Sequence, residues 1–192
     1  MTEDEFSTQL LHELRLDLGK YKAELKCCLL YDLYFDERGA IRKGVDPDTG
    51  KPVRGRGTGF EQDLVIFEVA PDGADTSIIP RIVAEIKYGS VTTHNAIVYS
   101  EKARRIRRVY PYLRYGMIIG NFLYIPGRLL RLGQDFDFLC ALEYPLVTKQ
   151  LDALRETMKL ELATSVGASD LLSGRRKPFL VHRDLRISES GT

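Results

Sequence analysis

The 192-residue chain has no tryptophan, only three cysteines and three histidines, and no surplus of either charge: 28 Lys and Arg stand against 27 Asp and Glu, a formal net charge of +1. Each shortage excludes something. No apolar run approaches the ~20 residues that span a bilayer, so no transmembrane helix is expected. Cys27 and Cys28 are adjacent and Cys140 is remote, which gives neither a disulfide framework nor a CxxC metal spacing; reduced, partly buried thiols are expected. His12 and His182 have no companions at metal-ligand spacing, so zinc is not expected. There is no repeat of 20–50 residues and no low-complexity tract, which excludes solenoids and arrays. The start, Met1-Thr2-Glu3-Asp4-Glu5, is acidic and lacks the basic-then-apolar order of a secretory signal, which predicts a cytoplasmic protein. Neutrality argues against a chain basic throughout, yet a local basic surface is compatible with it.

At ~100–200 residues per domain, the length predicts one domain over residues 1–192. From Glu3 to about Asp36, Leu10, Leu11 and Leu14, then Leu25, Cys28 and Leu29, stand at helical spacing; one or two helices are expected, with a break near Gly19. Residues 39–59 carry six glycines and two prolines, loop chemistry with a short strand around 40–44. The stretch Gly55-Arg56-Gly57-Thr58-Gly59 lacks a nucleotide-binding fingerprint and reads as a basic loop. Residues 63–69 and 81–88 are β-branched or aromatic strands, and the turn-rich 71–77 stretch pairs them as an antiparallel hairpin. After Gly89-Ser90, Thr92 or Thr93 can cap a helix whose Ala96, Tyr99, Ala103, Ile106 and Tyr110 form its buried stripe, with Pro111 as the stop. Strands are expected at 115–120, 122–125 and 136–142, a closing helix over about 146–164, and a tail over 173–192. The predicted class is α/β (α+β), a mixed central sheet flanked by helices.

Glu85-Ile86-Lys87 places two charges on one face of an apolar strand, where they need a partner, a metal or solvent. Asp63 opens the neighbouring strand, and strands ~4.8 Å apart let Asp63 and Glu85 converge on one divalent cation with Lys87 beside it. Mg²⁺ held there, for which Mn²⁺ can substitute, suits phosphodiester hydrolysis, with Lys87 orienting the attacking water or stabilising developing charge. An E-x-K on a strand is, taken alone, more often a cross-strand ion pair. The flanking elements, all in the order such a site requires, are what argue for chemistry.

Asp63, Glu85-Ile86-Lys87 and the basic helix that follows resemble the PD-(D/E)XK nuclease superfamily, the restriction-endonuclease-like fold, over about residues 20–125. The resemblance implies an αβββαβ core, here with an added C-terminal helix, and a Mg²⁺-dependent DNA endonuclease in which Asp63 and Glu85 bind metal and Lys87 assists the water. Gln62 stands where the family has Pro, and the interval from Asp63 to Glu85 is long, which makes Glu68 a rival for the aspartate. The family often adds an acidic residue from the first helix: Glu24 is the choice, with Glu13 and Asp32 as alternatives and Glu61 as possible support. DNA is the implied partner, with RNA as the other option, and homodimerisation is the usual way to cut both strands.

Lys102, Arg104, Arg105, Arg107 and Arg108, offset locally by Glu101 alone, spread over an arc opposite the apolar stripe. Lys102, Arg104, Arg105 and Arg108 are the candidate phosphate contacts, Lys102 nearest the catalytic strand. His94 and Asn95 read as a capping pair or as groups that position a phosphate or a water, and Tyr110, Tyr112 and Tyr115 as core or interface packing residues, with stacking on bases as the alternative. Specificity is expected in loops 41–60, 71–80 and 126–136, or in a partner. The rival to an enzyme is a catalytically silent nucleic-acid-binding or assembly subunit of the same fold.

Overall fold

The computed structural model describes residues 1–15, 18–30, 34–35, 41–42, 59–69 and 78–180. Helix α1 spans Glu3–Arg15 and is followed by strand β1, Lys22–Leu30. The second half of the expected N-terminal helix is therefore a strand. Gly19, with φ +59, turns the chain between them, and pairing with a neighbouring strand overrides the helical spacing of Leu25, Cys28 and Leu29. Strands β2, Tyr34–Phe35, and β3, Ile41–Arg42, pair with each other as a separate ribbon.

The hairpin strands are β4, Gly59–Val69, and β5, Ile78–Tyr88, antiparallel as expected; the turn between them lies outside the described residues. Helix α2 runs Thr93–Val109, then β6 covers Arg114–Gly120, α3 Gly127–Leu132, β7 Phe138–Leu142 and α4 Thr148–Leu172. Residues 122–125 form no strand, the 126–136 loop contains α3, and the closing helix runs eight residues past its expected end.

The main sheet has the order β1-β4-β5-β6-β7. The β1–β4 and β4–β5 pairs are antiparallel, whereas β5–β6 and β6–β7 are parallel. Alternation along the strands splits the core between the two faces. Ile66, Ile82, Ala84, Ile86 and Ile118 pack against Phe6, Leu10 and Leu14 of α1 and Leu154, Met158 and Leu162 of α4. Val65, Val83 and Tyr115 on the other face meet Ala103 and Ile106 of α2. The protein is thus an α+β sandwich with a five-stranded mixed sheet between helical layers. At Gly120 a Cβ would come 2.4 Å from the Phe6 ring, so this close packing of α1 on β6 requires glycine. None of the helices among the described residues is long and apolar enough to cross a membrane.

Candidate active site

The C-terminal end of β5 is where two helix starts converge. Gly89, at φ +72, takes a left-handed conformation that other residues adopt only with strain, and its N–H donates to Gly120 O at 3.0 Å. Thr92 then caps α2 in a reciprocal box: its hydroxyl accepts from Asn95 N–H, and Asn95 Oδ1 accepts from Thr92 N–H. From this start, α2 folds back over the sheet and carries Tyr99 and Lys102 above Glu85 and Lys87. Helix α1 begins with a second such box, Thr2 with Glu5. That box sets Glu3 and Asp4 in the first turn, beside β5 and β1.

Asp63 sits where β1 and β4 both exchange faces. On β1, Ala23 and Leu25 belong to the α1/α4 core, whereas Cys27 and Leu29 belong to the α2 core. The reversal falls at Lys26, whose φ of 56 is left-handed. On β4, Leu64 and Ile66 face α1 and α4, while Phe60 packs with the α2 core and Gln62 meets Tyr115. That reversal falls at Asp63, opposite Lys26 between the paired rungs Leu25–Leu64 and Cys27–Gln62. The β4–β5 ladder begins at Leu64–Ala84, and beyond it Asp63 Oδ2 accepts the Ile86 N–H at 2.9 Å. Lys26 Nζ bridges Asp63 Oδ1 at 3.6 Å and Asp4 Oδ1 at 3.7 Å. Burial opposes the charge on Lys26, but Asp63, Asp4 and Glu61 outweigh it and raise its pKa.

Glu85 is only 1% exposed. Its Oε1 receives the Lys102 ammonium at 2.6 Å and the Tyr115 hydroxyl, which also lies 3.2 Å from Gln62 Oε1. Lys102 Nζ donates in addition to Glu61 O at 2.7 Å. Burial pushes the Glu85 carboxyl up, as does the charge of Asp63, while Lys102 and Tyr115 pull it down. Burial and the neighbouring Glu85 raise Tyr115 well above the usual phenol range, so its hydroxyl remains a donor. Lys87 Nζ donates to Glu3 Oε1 at 2.7 Å and lies 5.4 Å from the centroid of the Tyr99 ring. Burial works against the Lys87 charge, but Glu3 and Tyr99 prevail and raise its pKa. Lys87 is therefore a cation at neutral pH, equipped to stabilise negative charge and unsuited to accept a proton.

No family model, curated protein or solved structure matches the chain. Its own geometry must carry the reading.

Asp63, Glu85 and Lys87 do come together, on neighbouring positions of β4 and β5. Glu24 does not complete a set. It lies on β1, not on a helix, opposite Val65 and exposed, and no three His, Cys, Asp or Glu side chains gather as metal ligands among the described residues. The rival Glu68 is held by Arg81 at 3.1 Å and Lys20 at 3.3 Å, toward the other end of β4. Glu13 is bound to Arg155, Asp32 lies outside the described residues, and Glu61 offers its carbonyl to Lys102. Of loops 41–60 and 71–80, all but residues at their ends lie outside the described residues as well.

The basic helix divides differently from the expected arc. Arg104, Arg105 and Arg108 face solvent, with Glu101 accepting from the first two. Lys102 is turned inward to Glu85, and Arg107 inward to Asp137 at 2.7 Å. Glu3, Lys26, Gln62, Tyr99 and the hydroxyl of Tyr115 belong to the site without having been expected there from sequence. The box Thr2-Glu3-Asp4-Glu5 is the available signal for Glu3, because it fixes the helix start. Tyr115 does pack as expected, but two rungs from the Glu85–Met117 pair on the same face it also reaches Glu85.

Proposed function

We propose that this protein is a Mg²⁺-dependent DNA endonuclease of the PD-(D/E)XK, restriction-endonuclease-like type. The observation that carries the reading is the meeting of Asp63, Glu85 and Lys87 at the end of β5, enclosed by the first turn of α1 and the inner face of α2. In support, the elements of the main sheet follow the order helix, three antiparallel strands, helix, parallel strand, with the β2–β3 ribbon set between the first two strands; an αβββαβ core has the same order.

The residues fit a hard divalent cation. Glu85 and the Glu61 carbonyl already hold a positive charge, the Lys102 ammonium, between oxygen donors, and Asp63 adds a second carboxylate within electrostatic reach of Glu85. Mg²⁺ commonly takes one or two carboxylates and keeps several waters, so two carboxylates suffice. Bound there, it would polarise a phosphoryl oxygen and lower the pKa of a water. Tyr115, whose hydroxyl lies beside Gln62, orients Glu85 for that task, as outer partners of metal ligands do. Lys87, kept charged by Glu3 and Tyr99, faces the charge that develops on the phosphoryl group. Arg104, Arg105 and Arg108 supply the sequence-independent attraction for the DNA backbone.

The test is cleavage of plasmid and linear DNA with Mg²⁺, Mn²⁺ or chelator, by the wild-type protein and by Lys87→Ala. Metal-dependent cleavage, reduced at least about 100-fold by the substitution, is expected from loss of one preorganised charge. Cleavage in chelator, or cleavage undiminished in Lys87→Ala, overturns the mechanism. A second reading, a catalytically silent DNA-binding subunit, is favoured by one observation: the Lys102 ammonium already sits on Glu85.

A further inference from the structure

Lys102 stands out as a charge in an unexpected place. Its ammonium lies 2.6 Å from Glu85 Oε1 and 2.7 Å from Glu61 O, as a bound monovalent cation would. Its side chain is 11% exposed and that of Glu85 1%, so the pair is shielded from water. A divalent ion and an ammonium cannot share Glu85 Oε1 in so dry a site without strong repulsion. One must leave for the other to enter.

We propose that Lys102 is a built-in counter-ion for Glu85, which divalent metal displaces from the site and which then becomes a ligand for a substrate phosphate. The inference rests on the reading of Asp63 and Glu85 as a metal site, and it adds a coupling between metal and DNA. The route outward is present. Lys102 is flanked by the rings of Phe60 and Tyr99, with centroids at 5.6 and 5.7 Å. With Phe60, Ile97, Val98, Glu101 and Arg105 it lines a surface cavity of about 290 Å³ on α2. Its flexible four-carbon stem lets the ammonium swing from Glu85 into that cavity, where it joins the outward side of α2 that carries Arg104 and Arg105. In the absence of metal, the same ammonium keeps the buried Glu85 from standing uncompensated. Metal binding frees Lys102 for DNA, and DNA holding Lys102 keeps Glu85 open for metal, a reciprocal coupling.

Titration calorimetry with Mg²⁺ alone on wild type, Lys102→Met, Lys102→Gln and Lys102→Arg tests this. Thermal unfolding with and without Mg²⁺ provides a second readout, because a ligand that binds only the folded state raises its stability. Removal of the competing charge is expected to tighten Mg²⁺ binding at least about tenfold in the Met and Gln variants. The Arg variant, which retains the charge, is expected to bind no tighter than wild type. A wild type that binds Mg²⁺ as tightly as the neutral variants, or tighter, overturns the displacement and leaves the metal site standing. Absence of Mg²⁺ binding in all four proteins overturns the metal reading and the displacement with it. Binding by the neutral variants alone supports the counter-ion and assigns the wild type to the silent reading. With Ca²⁺ present, duplex DNA affinity is expected to rise in wild type but not in Lys102→Met; an equal rise in both overturns the coupling.

Discussion

Tyr115→Phe isolates one hydroxyl in the most enclosed part of the site. The ring is fully buried and stacked on Phe136, with centroids 6.4 Å apart, so the substitution leaves the packing of the aromatic body intact. What disappears is the hydrogen bond to Glu85 and the approach to Gln62 Oε1. A hydrogen bond to a charged group contributes about 1.5–3 kcal/mol, and because the hydroxyl has a single proton, given to Glu85, the contact with Gln62 Oε1 adds no second bond to the loss. Lys102 still holds Glu85, which offsets part of this, so a net loss of about 2 kcal/mol is expected after that allowance. For a chain of this size, the loss corresponds to a fall of about 4–8 °C in Tm. Urea unfolding provides the free energy, and a double-mutant cycle with Glu85→Gln assigns it: a coupling of about 1 kcal/mol or more is expected between the two sites. Because Tyr115 orients a proposed metal ligand, Mg²⁺ affinity is expected to weaken about tenfold in the same variant. A destabilisation below about 0.5 kcal/mol, within the range of an ordinary surface substitution, together with no coupling, would refute the account of Glu85 as a group held by Tyr115.

The pH dependence follows from Glu85. Its folded pKa is raised above 4.5 by burial and by Asp63, so in the interval above 4.5 the folded state binds more protons than the unfolded one, and stability falls as pH rises toward the folded pKa. In Glu85→Gln that fall is expected to disappear, so the difference in urea-unfolding free energy between variant and wild type shifts in favour of the variant from pH 5 to pH 8; a shift the other way sinks the reading. On the outer face of α2, Arg104→Ala with Arg105→Ala is expected to reduce the salt slope of DNA binding by as much as about 1.8, roughly 0.9 for each phosphate no longer neutralised. Thermal unfolding should stay close to wild type, since both arginines are about half exposed; an unchanged salt slope would remove these residues from the DNA-binding surface.

The hairpin and helix α2 are legible because their signals are local. Residues 63–69 and 81–88 are β-branched on both faces, Thr92 is followed by Asn95, and Ala96, Ala103 and Ile106 keep helical spacing through to the Pro111 stop. Strand β1 is not legible, because Leu25, Cys28 and Leu29 satisfy a helical period and only pairing with β4 reveals the strand. The left-handed φ at Lys26 is a further reason: it reverses the faces of β1 midway, so the strand never shows the uninterrupted alternation by which strands are recognised. One candidate is displaced as a result. Glu24 is expected as a helical carboxylate, whereas the acidic residues that α1 does present to the site are Glu3 and Asp4. Lys102 escapes the expected arc for another reason, since a helical wheel gives the direction of a Cα–Cβ bond and a lysine stem is long enough to bend around the edge of an apolar stripe to a buried carboxylate.

The near-neutral composition has a counterpart within the site. Asp4, Lys26, Asp63, Glu85 and Lys102 are joined by ion pairs or by electrostatic interaction, and Glu3 with Lys87 forms a second set, linked to the first where the Tyr99 ring lies near both Lys87 and Lys102. A buried carboxylate costs several kcal/mol without compensation, and here the buried Glu85 and the largely buried Asp63 each have a cation within reach, as do the more exposed Glu3 and Asp4. The cations differ in what they can give up. Lys87 is fixed from two sides by Glu3 and Tyr99, whereas Lys26 is half exposed and spans two long contacts. Lys102 is the one seated on Glu85 itself, with a cavity beside it. On the proposed reading, substitution of a divalent ion for that single ammonium would change the charge of the site while the backbone and the Lys87 pair stay in place, so that a neutral chain would alternate between holding its own cation and holding a phosphate.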